Sequence, residues 1–131
     1  MATRGFNAHA PKVLAALRVM TALLYVEHGM VKLFGFPPGA PPGKVPLMGL
    51  LGVAGVLEFV GGLLLVAGLF TRPVAFLLAG QMAVAYFMAH APSSPYPVLN
   101  HGEPAILFCF IFLYLSVAGP GAWSVDGGRR R

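Results

Sequence analysis

Charge is scarce in this sequence. Lysine, arginine, aspartate and glutamate together make up 10% of its 131 residues, against 57% apolar residues. A soluble chain carries about 25% charged residues, so the solvating surface of a soluble domain is missing. Cysteine is nearly absent too. Cys109, in Phe108-Cys109-Phe110, excludes an internal disulfide, a CxxC pair and thiol redox chemistry within this chain alone. It reads as a small buried hydrophobe. The basic excess is a net charge of +5, but the basic residues are scattered at segment ends with no stripe and no interleaved aromatics, which argues against nucleic-acid binding. HExxH, a GxGxxG opening a helix, a nucleophile elbow and an EF-hand loop are all missing.

What is present is apolar sequence in long blocks. Four such segments, at about 13–34, 47–70, 73–90 and 103–118, are divided by proline, glycine and charge. A membrane helix needs roughly 20 apolar residues, apolar on all sides. Barrel strands would instead alternate apolar and polar residues over about 10 positions. The first block ends at the stretch from Gly35 to Gly43, whose prolines and glycines cannot continue a helix. Thr71-Arg72-Pro73 makes a tight connection, with Thr71 as helix cap and Pro73 in the first turn, so the second and third helices are expected to be antiparallel neighbours. Ala91 to Pro97 is proline-rich, and Gly119-Pro120-Gly121 stops the fourth segment. Arg4 and Lys12 precede the first block as in a signal peptide, but no small-x-small cleavage site follows, so it reads as an uncleaved span.

The fold class expected is therefore all-α: one membrane domain, an antiparallel bundle of four transmembrane helices. Arg4, Lys12, Arg72 and the three terminal arginines fall on one side; Lys44 and Lys32 fall on the other. The positive-inside rule makes the richer side cytoplasmic, with both termini in and the proline-rich loops out. The expected location is the inner membrane, as a multi-pass protein in the lipid bilayer.

Ionisable residues within spans are costly, and they usually face a bundle interior or a wet cavity. Arg18, Tyr25, His28 and Lys32 are spaced by seven, three and four, which puts them on one helical face; Glu27 lies on its flank. Glu58 interrupts Val56-Leu57-Glu58-Phe59-Val60 in mid-span, where an unpaired carboxylate is expensive. Gln81 and His90 lie on the third segment. With the first helix running outward and the second inward, His28 and Glu58 differ in depth by roughly 7 Å, within reach of a side chain or a bridging water. Bland readings stand beside this one. Arg18 near the inner end can snorkel to headgroups, or take Glu58 as a charge partner. Lys32, His90, His101 and Glu103 can be water-facing rim residues. A Glu58–His28 contact can be no more than a lock between helices. Gly49, Gly52, Gly55, Gly61, Gly62 and Gly68 read as close helix packing. His28, His90 and Glu58 carry no metal-ligand spacing, and no metal or haem site is assigned.

The run Gly61 to Pro73, preceded by Glu58 and by the first-helix stretch His28-Gly29-Met30-Val31-Lys32-Leu33, resembles the DoxX family of small four-span membrane proteins. Asn100-His101-Gly102-Glu103 and the stretch Gly119 to Asp126 are similar to that family's closing pattern. Arg18, His28, Gly29, Lys32, Glu58, Gly62, Thr71, Arg72, Pro73, Gly102 and Glu103 match it. The resemblance implies association with redox systems, the family name coming from a subunit linked to a thiosulfate:quinone oxidoreductase. The leading expectation is thus a quinone-associated subunit, at most an accessory one. In its outer-leaflet pocket His28 and Gln81 would hydrogen-bond the ring carbonyls, Tyr25 or Phe59 would pack on the ring, and Glu58 would relay protons. Electrons would come from a partner subunit. The rivals are a permease or carrier for a small hydrophobic molecule, for which a homo-oligomer is expected, and a structural subunit of a larger complex.

Overall fold

The computed structural model describes residues 2–129, among which every regular element is helical and there is no strand. A short helix α1 (Ala2–Asn7) leads into α2 (Ala10–Phe34), with Pro11 in its first turn, where a missing N–H costs nothing. Helix α2 ends at Gly35, whose φ of 69° lets its N–H bond back to Val31 O at 2.9 Å. Helix α3 (Leu50–Ala67) closes the same way at Gly68, φ 71°. Three residues later α4 (Thr71–Ala85) begins, continuing through a π-helical turn at Tyr86–His90 and a 3-10 turn at Ala91–Ser93. A single turn α5 (Pro97–Asn100), then α6 (Glu103–Ala118) and the short α7 (Val125–Arg129) complete the chain. Arg130 and Arg131, which entered the charge count above, lie outside the described residues.

Three helical stretches, Ala10–Phe34, Leu50–Ala67 and Thr71–Ser93, are long and apolar enough to cross a membrane; Glu103–Ala118 is apolar but shorter, at 16 residues. Helix α2 packs along α3 and α4 along α6, α3 and α4 share a narrower seam, and α2 touches α6 only briefly. Ala22, Tyr25, Leu65, Leu78, Phe112 and Leu115 form the buried centre. The flanks display Leu63, Phe76, Leu77, Val84, Leu107, Phe110 and Val117, all exposed. In water such a surface would aggregate; against lipid tails it is already solvated. The molecule is a helical membrane protein.

Glycine sets the closest helix approach. A Cβ on Gly29 would come within 2.6 Å of Phe59 N, and one on Gly55 within 2.9 Å of the Lys32 Cβ. The α2 and α3 backbones therefore touch there, and the contact fixes which face of α2 meets α3.

The bundle has two unlike ends. At the end holding the α3–α4 turn, the segment between α6 and α7 folds back over the helices: Ala122 N–H donates to Pro11 O and Asp126 N–H to Gly68 O, both at 2.9 Å. The Asp126 carboxylate accepts from the Phe70 and Thr71 amides at 2.9 and 2.8 Å. This corrects the expected capping. Thr71 sits inside the first turn with its Oγ1 buried and unbonded, and the cap comes from Asp126, 55 residues on. At the opposite end, Asn100 is the hub: its amide donates to Tyr86 Oη and Ser94 O and its Oδ1 accepts from Gly102 N–H.

Candidate functional site

The mid-span carboxylate is the centre of a buried polar chain. Glu58 is 2% exposed. Its Oε1 takes the Lys32 ammonium at 2.6 Å, and its Oε2 accepts from Gln81 Nε2 at 2.9 Å. The same Gln81 nitrogen reaches Ala54 O at 3.3 Å, and Gln81 Oε1 accepts from the Tyr25 hydroxyl at 2.7 Å. Four side chains on three helices thus form one line, Lys32–Glu58–Gln81–Tyr25. A carboxylate in a low-dielectric interior is tolerable when paired and hydrogen-bonded, and both oxygens of Glu58 are. The amide of Gln81, used at both ends, fixes the orientation of the carboxylate and the hydroxyl at once.

Tyr25 carries this line to the thin seam between α2 and α6. Its ring meets Phe112 edge-on at 4.8 Å and Phe108 at 5.2 Å. Aromatic side chains rather than close backbones fill that seam. The neighbouring His28 stands edge-on to Phe108 at 5.8 Å.

The residues singled out from sequence fall into four groups. Tyr25, Lys32, Glu58 and Gln81 meet in the cluster. Glu27 and His28 do not; both are exposed on α2, and the partner of Glu58 is Lys32 where depth alone had suggested His28. Lys32, offered also as a rim residue, turns its long arm inward because the Gly29–Gly55 contact rotates that face of α2 onto α3. His90 belongs to the far end of the bundle, its Nδ1 2.9 Å from Asn100 O and its ring stacked on Tyr86.

Arg18 neither snorkels nor pairs with Glu58. It is fully buried. Its Nε donates to Leu65 O at 2.9 Å, and its two terminal nitrogens donate to Pro120 O, to Ala122 O at 3.2 Å and to Trp123 O at 3.0 Å. Guanidinium geometry suits this, since a planar fork of five donors can gather three carbonyls of the segment after α6 together with one in the last turn of α3. Asp126 lies within electrostatic reach of it. In parallel, Arg72 donates to Val117 O at the end of α6. Sequence reasoning missed Asn100 as a hub and Asp126 as a cap; the only signal for Asp126 was its place in the closing pattern. Among the described residues no group of three His, Cys, Asp or Glu side chains could hold a metal ion.

Comparison with known proteins agrees with the architecture. The DoxX family profile matches residues 13–91. An uncharacterized protein of Haemophilus influenzae is 40% identical over 122 residues, covering 90% of this chain and 91% of that one. The inner membrane proteins YqjF and YphA of Escherichia coli are 29% and 28% identical, over 83% and 92% of this chain and 85% and 93% of their own lengths. No solved structure matches the chain.

Proposed function

Since the chain belongs to the DoxX family of membrane proteins, we propose that it is a quinone-associated subunit of a membrane redox system. The observation that carries this reading is the Lys32–Glu58–Gln81–Tyr25 line, an ionisable pair inside the bundle joined by hydrogen bonds to an aromatic seam. In this reading the protein spans the membrane four times. The end bearing Arg4, Lys12 and Arg72 faces the cytoplasm and the end bearing Lys44 faces out, as the positive-inside rule asks.

A quinone ring is an apolar plate with two carbonyl acceptors, soluble in the bilayer. The seam between α2 and α6 suits such a plate: the half-buried Phe108 supplies a ring for stacking, and the Tyr25 hydroxyl, turning away from Gln81 Oε1, supplies its one proton as a donor for one carbonyl. Reduction of a quinone takes two electrons and two protons. The electrons come from a redox partner, because this chain holds no dithiol. Glu58 holds or yields a proton within the span, and Lys32 stabilises its anion when the proton has left. Gln81 keeps the carboxylate in register with the tyrosine.

Saturable binding of a short-chain benzoquinone to purified protein tests this. Binding is expected for the wild type and is expected to weaken by about tenfold, some 1.4 kcal/mol, in Glu58→Gln. A wild type that binds none removes the proposal.

One observation favours a second reading: each polar group of Glu58 and Gln81 already has a protein partner. A structural subunit would use the cluster only to hold α2, α3 and α4 together. Under that reading Glu58→Gln lowers stability while no quinone binds at any concentration. The carrier reading is separated by flux of a small hydrophobic acid into proteoliposomes in the absence of any redox change.

A further inference from the structure

The cluster leaves two ionisable residues unused, and their position is difficult for a monomer. Glu27 and His28 are both exposed, on the side of α2 turned away from α3 or flanking α6. Helix α2 is 25 residues long, or about 37 Å, against roughly 30 Å of hydrocarbon. Centred in the bilayer, it puts Glu27 about 7 Å from the midplane and so roughly 8 Å below the boundary, deeper than a glutamate side chain of about 5 Å can climb. Glu27 makes no hydrogen bond or ion pair among the described residues, and the ionisable side chain beside it in sequence is His28 on the same helix. A carboxylate facing lipid at that depth is costly, so something covers it.

The rest of that face tells what. Val13, Leu17, Met20, Leu24 and Glu27 are all exposed and follow one another at spacings of 4, 3, 4 and 3. That is the repeat by which two parallel helices run side by side, with one polar position setting register. Copies of one chain enter the membrane in the same orientation, so a twofold axis along the membrane normal places equal depths opposite each other. An acid and a base adjacent in sequence and equal in depth are then self-complementary: Glu27 of each copy meets His28 of the other, and both are covered in one step.

We propose that this chain forms a parallel homodimer through the outer face of α2, with Glu27 paired to His28 of the partner copy. The cross-linking readout is separate from quinone binding: Leu24 and Glu27 hydrogen-bond to none of Tyr25, Lys32, Glu58 and Gln81, whereas His28 shares a flank of α2 with Tyr25 and Lys32 and meets Phe108.

Cysteine cross-linking in native membranes tests it. In a Cys109→Ala background, Leu24→Cys is expected to oxidise to a species of twice the monomer mass. Leu63→Cys on α3 and Leu77→Cys on α4, equally lipid-facing, are expected to give several-fold less. Adding Glu27→Gln to Leu24→Cys should cut the dimer band, and exchanging the pair, Glu27→His with His28→Glu, should restore it. Equal cross-linking at all three positions, none at position 24, or a product of any other mass would overturn the dimer, and so would a band indifferent to Glu27→Gln.

Discussion

Arg18 and Glu58 are both ionisable, both buried in the bundle, and satisfied in opposite ways. Arg18 spends four donations on backbone carbonyls of Leu65, Pro120, Ala122 and Trp123. Glu58 is held by two side chains, Lys32 and Gln81, and through Gln81 by a third. Carbonyls cannot change protonation and belong to chain that must be folded back for the bonds to exist, so the Arg18 site is a clasp. Side chains can gain, lose and pass protons and can rearrange without moving a helix. The Glu58 site therefore holds the kind of groups that the proposed proton-relay role needs.

The sharpest way to separate the two is to remove each centre. Arg18→Leu leaves the carbonyls of the tail without a donor in an apolar interior. Each unsatisfied group costs about 1–3 kcal/mol, so a loss of several kcal/mol is expected, the largest of any single change considered. The tail should come away with it. Trp123, the sole tryptophan of the chain, is 71% exposed beside these bonds and reports the release. Unfolding in detergent should be advanced and Trp123 emission altered before the helices melt; unchanged stability would mean that the clasp is ornamental.

Tyr25→Phe is a smaller cut on the other side of the comparison. It deletes the hydroxyl that fills Gln81 Oε1 while leaving the ring between Phe108 and Phe112. About 1 kcal/mol of stability should go, and quinone binding should weaken by a larger factor than that loss implies. A parallel fall in both would place Tyr25 with the packing residues.

Much of this was readable from residues alone, and the limits have physical causes. Apolar blocks of roughly 20 residues announce helices in lipid because no other short structure satisfies its backbone there. Glu58 stood out because a carboxylate amid Val56, Leu57, Phe59 and Val60 has no route to water. Its partner was harder. Depth follows from counting residues, but azimuth depends on how α2 and α3 touch, and the approach at Gly29 and Gly55 turned Lys32 inward while His28 stayed on the flank. The role of Arg18 was out of reach for a different reason. Three of its partners are main-chain carbonyls more than 100 residues away, and a carbonyl carries no side-chain signature to find.

The proposed function requires the ionic line to be present for chemistry. Replacing Lys32 and Glu58 together, Lys32→Met with Glu58→Leu, tests that most directly, because a buried pair exchanged for apolar residues of similar size is often neutral in stability, whereas removing one partner alone costs about 3–5 kcal/mol. The double variant should unfold within about 1 kcal/mol of the wild type and bind short-chain benzoquinone no better than Glu58→Gln. A double variant that binds quinone as the wild type does would contradict the account.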